Sequence, residues 1–192
     1  VESDRMQYLL LDQKSLDTQK NVVIEEFKQR YLNVPYGDVW LNLQPLAYKQ
    51  HPYQWPTIGK DISHIEDATL ENVCHFHEIY YTSDNAVLTI SGNIEPAKAL
   101  DLAEKWFGDI PGYSGARPSI VQEPPQKALK SMEMEANVPL NAIYRAYHMP
   151  ARTDKNYIPA DLLSDSLGRG KSSRLHQSLT KDKRIFNSIG SY

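Results

Sequence analysis

Hydrophobic residues recur along this chain first at helical spacing and, from about residue 85, in runs that suit extended backbone. Met6, Leu9 and Leu10 set a helical pattern over residues 1–11. The stretch LDTQKNVVIEEFKQRY, residues 16–31, predicts a second helix with Ser15 or Asp17 at its cap. Pro35 and Gly37 make residues 33–37 a turn, and Asp38 then caps an apolar helix interrupted near Pro45. HPYQWPTIG, residues 51–59, predicts an ordered loop pinned by Tyr53 and Trp55, followed by a turn over 60–65 and a helix over 69–80.

NAVLTISGNI, residues 85–94, has the β-branched, apolar character of a buried strand, ended by Gly92 and Asn93. Pro96 opens a helix that closes at Gly108. Residues 127–136 alternate apolar and polar and read as a half-exposed strand. Residues 140–150 read as its antiparallel neighbour across a turn at 137–139. A helix over 155–167, the loop GRGKSS, a helix over 173–181 and the start of a strand at 185–192 complete the pattern. The expected fold class is therefore α+β, a mixed or antiparallel sheet with helices packed on one face. Four prolines and two glycines between residues 111 and 126 mark the best linker, which divides the chain into 1–111, a proline-rich linker 112–126, and 127–192.

Composition narrows the function classes. The chain has 192 residues, long enough to bury a core, and 21 basic against 24 acidic side chains leave a net charge of −3. Neither a basic excess nor a basic patch is present, which argues against nucleic acid as a partner. Cys74 is the one cysteine, so there is no internal disulfide, and its absence leaves the compartment open between periplasm and cytoplasm. No apolar run has the length of a membrane span. Val1 opens the chain in the middle of a helical pattern and Tyr192 ends it within strand-like sequence, so the chain is expected to be a piece of a longer polypeptide.

Candidate chemistry centres on Glu25 and Glu26. Adjacent helical residues point about 100° apart, so the two carboxylates cannot serve one site equally. Glu26 shares a stripe with Gln19, Val22, Val23 and Arg30. A carboxylate beside valines needs a cation or several donors to stay ionised, and a salt bridge and a metal ion both meet that need. GRGKSS, residues 168–173, departs from a Walker loop because Asp165 stands where the first glycine belongs, and because it joins two helices. A nucleotide-binding module is the weakest reading, and a tight turn with Ser172 or Ser173 as cap accounts for the sequence. On a helix His75 and His77 lie on opposite faces, whereas Glu71, His75 and Glu78 share one, the arrangement of a solvated ion pair or a surface metal clamp. Cys74 and His77 lack a third group to orient a base, so nucleophilic catalysis is set aside. HExxH, HxxEH and CxxC pairs are absent.

Five stretches in order resemble the pitrilysin and insulinase group of zinc peptidases, and its bacterial processing-protease-like members most closely. They are ESDRM, QKNVVIEEFKQR, HPYQWPTIG, YYTSDNAVLTISGNIEP and LGRGKSSRLHQSL. In that family an HxxEH helix supplies two histidine ligands and a glutamate base, and a downstream glutamate completes the zinc site. The resemblance places that downstream ligand at Glu26. Gln19 stands seven residues earlier, where the family usually has glutamate, and becomes a candidate partner just outside the metal's ligands. It implies no catalytic residue in this chain, zinc in the full-length protein and none in this piece. It further implies peptide substrates and a homologous partner subunit or second family domain. Residues 1–111 would end a first, zinc-binding half-domain and 127–192 would begin a second. The leading expectation is a metalloendopeptidase cutting peptides or unfolded segments, with this piece inactive alone; the alternative is a non-catalytic scaffold or partner subunit of the same family.

Overall fold

The computed structural model describes residues 1–192, and it is helical, with no strand and no sheet. The chain divides into two compact units, Val1–Tyr144 and Arg145–Tyr192.

The first unit carries six helices: α1 (Glu2–Tyr8), α2 (Gln13–Phe27), α3 (Val39–Ala47), α4 (Ser63–Glu66), α5 (Leu70–Tyr80) and α6 (Pro96–Phe107). Helix α2 starts at Asp12, whose carboxylate accepts from the Ser15 amide at 2.7 Å; the cap thus falls one turn before the expected Ser15 or Asp17. Beyond Phe27 the helix widens into π-helical turns over Lys28–Leu32. Helix α3 runs through Pro45 and stops two residues later, at Ala47. Helix α5 begins with a reciprocal capping box: the Thr69 hydroxyl accepts from the Asn72 amide, and the Asn72 side chain accepts from the Thr69 amide. Pro96 at the first turn of α6 costs no hydrogen bond, because that amide would be unpaired in any helix.

The buried apolar side chains of this unit are Phe27, Ile65, Ile79 and Ile110. Phe27 packs its ring 5.1 Å from Tyr31, and α2 lies against α4, where Lys20 Nζ donates to the Glu66 carbonyl at 2.7 Å. The chain exposes 15557 Å² of surface. A self-sufficient globule of 22.0 kDa exposes about 9,300 Å². Much of the apolar surface therefore stays in water, on helices as at Leu100 and Leu162 and in stretches where strands were expected, as at Val87 and Leu129.

The sequence expectation of an α+β sheet is corrected here. Residues 86–92, 127–136, 140–150 and 185–192 are extended or irregular, but none pairs with another in a ladder. Val87 is 93% exposed and Leu129 91%. The physical reason is that a helix closes its hydrogen bonds within the segment, whereas a strand needs a second segment alongside it. Alternation of apolar and polar residues identifies extended backbone; it carries no information on which segment, if any, completes the ladder. The turn expected at 137–139 is present as a local bend, with the Val138 amide on the Ala136 carbonyl. Past it, the Tyr36 hydroxyl donates to the Leu140 carbonyl at 2.7 Å and accepts from the Leu140 amide at 3.1 Å. Tyr36 holds this position from a left-handed backbone, φ 63°.

The second unit is built on α7 (Tyr157–Gly168) and a run of π-helical turns over His176–Asp182. Gly168 lies against the Ser191 backbone so closely that any side chain would collide with it, and Ser164 and Ser191 share a hydroxyl hydrogen bond of 2.7 Å. The GRGKSS loop is the tight turn the sequence implied. Gly170 takes a positive φ of 81°, and Ser173 closes the loop by donating from its hydroxyl to the Gly170 carbonyl at 2.8 Å.

Candidate functional site

Helix α2 presents both Glu26 and Gln19 to solvent, two turns apart on one face. Beneath them Val23 and Ile24 are half-buried and Phe27 is 2% exposed, so the helix is held from below. Glu26 is engaged by one cation, Arg30, whose Nη2 lies 3.0 Å from Oε1 one turn further on. Glu25 turns away round the cylinder and binds Lys28 at 2.7 Å. The helix geometry thus separates the two acids as their spacing requires.

The other candidates do not join them. His75 Nδ1 sits 3.7 Å from Glu78, an exposed pair that is ionic when the imidazole is protonated. His77 faces elsewhere: its ring stacks on Tyr81 at 4.8 Å and its Nε2 is 3.4 Å from the Arg5 carbonyl oxygen. Cys74 is exposed. No three His, Cys, Asp or Glu side chains converge where they could hold a metal ion. The donor set of this chain around Glu26, one carboxylate already beside an arginine, does not by itself fit zinc, which takes at least three protein ligands.

Two groups of charged contacts escaped sequence reasoning. Glu123 accepts from three successive backbone amides, those of Lys49 at 2.8 Å, Gln50 at 2.8 Å and His51 at 3.0 Å. The His51, Gln50 and Lys49 amides, with Lys130 nearby, pull its carboxyl down from the usual 4.5 to about 2. Arg117 forms a fork on Asp84, Nη1 to Oδ2 and Nη2 to Oδ1, both at 2.9 Å. With Thr82 and the Tyr113 amide it holds the Asp84 carboxyl well below the carboxylate range. These contacts join residues 29 to 74 positions apart, so no local spacing announces them.

The surface also has a shallow apolar groove lined by Met6, Ala86, Val87, Leu88 and Phe107, away from Glu26. No helix is long and apolar enough to cross a membrane.

The chain is 31% identical over 186 residues to the zinc protease PqqE of Helicobacter pylori, covering 95% of this chain and 42% of that protein. It is 26% identical over 192 residues to the uncharacterized zinc protease YmxG of Bacillus subtilis, covering 100% of this chain and 46% of that one. The chain thus spans less than half the length of these relatives. Among solved structures, a protease from Helicobacter pylori superimposes with a TM-score of 0.82 at 28% identity, over 97% of this chain and 46% of the other. A peptidase M16 inactive domain from Pseudomonas fluorescens shares the fold with a TM-score of 0.67 at 22% identity, over 94% of this chain and 43% of its own. Residues 67–192 match the peptidase M16 inactive domain. The pitrilysin and insulinase resemblance is thereby established, and the chain belongs to the peptidase M16 family.

Proposed function

We propose that this chain is part of a zinc-dependent metalloendopeptidase that hydrolyses bonds in peptides or unfolded segments, and that Glu26 is its contribution to the zinc site. The carrying observation is the placement of Glu26: an exposed carboxylate on a helix fixed from below by Phe27, with one exposed ion pair to break before it can turn to a metal. Gln19, on the same face, reaches the edge of such a site as a neutral hydrogen-bonding group and adds no charge. Two histidines and a general base from further polypeptide complete the reading, so the 192-residue chain alone is inactive. In this scheme residues 1–111 belong to the zinc-binding half-domain, 112–126 lead out of it, and 127–192 begin the homologous half. The partners are a peptide substrate and a second family domain or subunit.

Hydrolysis of a fluorogenic peptide by the full-length protein tests this. Glu26→Gln should lower the rate more than a hundredfold, and an unchanged rate removes Glu26 from the site. A second reading, a non-catalytic partner subunit, draws on the match of residues 67–192 to an inactive domain and on the neutral Gln19. It expects the full-length protein to cut nothing alone and to bind a homologous active chain.

A further inference from the structure

Residues 112–126 have the composition of a loose tether. Two of their prolines, Pro124 and Pro125, and Pro118 further back supply no amide hydrogen, and the segment forms neither helix nor strand. Its side chains nonetheless tie it down at two places. At the first, the Arg117 guanidinium makes its fork on Asp84, donates from Nη2 to the Thr82 hydroxyl at 2.8 Å, and donates from Nε to the Ile79 carbonyl at 3.1 Å. Asp84 also accepts from the Tyr113 amide at 3.1 Å, and the Tyr113 ring lies 5.7 Å from the guanidinium carbon. Gly112 passes within 3.2 Å of the Asp84 carboxylate, measured from where a Cβ would stand, a clearance that disfavours any side chain there. At the second, Glu123 fills a nest of three consecutive amides after α3, an arrangement that holds carboxylates because all its dipoles point at one spot.

We infer that residues 112–126 are a strap latched onto the first unit at Arg117 and at Glu123, with Asp84 and the Lys49–His51 amides as its two catches. The catches lie on different parts of the chain, one after α5 and one after α3, so either can open while the other holds. Between them runs an arch of five residues, Pro118–Gln122, carrying Ile120 and Val121 outward. The strap therefore fixes the path of the chain after α6 by tying it back to residues 79–84 and 49–51, where composition suggests a flexible linker.

Thermolysin provides a test, because it cuts before large apolar residues and finds them both in the arch and just beyond it. Ile120 and Val121 are 62% and 54% exposed, whereas Met132 and Met134, in the unlatched segment, are 47% and 53% exposed. Accessibility alone predicts arch cutting at least as fast as cutting at the methionines. The strap predicts that in the wild-type full-length protein the sites at Met132 and Met134 are cut about tenfold faster than those in the arch, because a protease needs a local segment it can draw out. Glu123→Gln and Arg117→Ala should each raise arch cutting several-fold while leaving the methionine sites unchanged. Equal wild-type rates at the two places, or arch rates that neither variant alters, overturn the strap. Should a variant loosen the whole chain, cutting rises everywhere, and the wild-type ratio decides the matter by itself.

Discussion

Glu26 and Glu123 are both glutamates at the surface of the first unit, and they differ in how much of their bonding capacity is used. Glu123 spends both oxygens on three backbone amides from residues far away in sequence. Glu26 has a single arginine one turn along its own helix. A carboxylate saturated by backbone donors is a structural part, because moving it strands three amides. A carboxylate held by one exposed, flexible side chain can change partner at little cost. The charge and residue type are identical; the neighbours decide which acid is locked into the fold and which can change partner.

Removing the support under Glu26 should have the largest effect. Phe27→Ala deletes a core ring and should destabilise the full-length protein by about 3 kcal/mol, read from denaturant midpoints. If the loss is negligible, α2 is not the fixed platform that a ligand position requires. The Arg117→Ala, Glu123→Gln double variant should lower Tm by less than Phe27→Ala and by the sum of the two single effects, since the catches are separate. A strongly non-additive result would show one latch where two are drawn.

The pH dependence sharpens the contrast further. The Glu123 carboxyl is depressed in the folded chain, so its stabilising effect is complete above about pH 4.5 and fades as pH falls toward 2. NMR titration should find Glu123 still ionised at pH 3.5, and Glu123→Gln should remove that share of the acid sensitivity. A Glu123 carboxyl titrating near 4.5 would mean the amide nest does not hold it in solution. The smallest effect belongs to Arg30→Ala, which cuts the one contact of Glu26 and should cost about 0.3–0.5 kcal/mol. A loss several times larger would place Glu26 among the structural acids beside Glu123.

What the sequence made legible was whatever closes within one segment. The helix over 69–80 is α5, the Pro96 helix is α6, the 155–167 helix is α7, and the GRGKSS turn is closed by Ser173, because periodicity, caps and turn residues act over three or four positions. The start of α2 was missed by a turn because Asp12, Ser15 and Asp17 are all competent caps and the helix took the earliest. The sheet failed for a deeper reason: NAVLTISGNI has strand composition, but composition cannot supply a neighbouring strand. The strap stayed hidden for the same cause turned round, since proline-rich sequence describes weak local order and says nothing of Arg117 meeting Asp84 33 residues away. Glu26 is singled out as a candidate ligand only by the ordered series of motifs; spacing alone favours half of a salt bridge, and the structure shows that pair with Arg30.

The most direct test of the account is the zinc content of the full-length protein, measured after dialysis by elemental analysis for wild type and Glu26→Gln. The account predicts one zinc per wild-type chain and a near-complete loss in the variant, with its fold retained by circular dichroism. Equal zinc in the two proteins would contradict it.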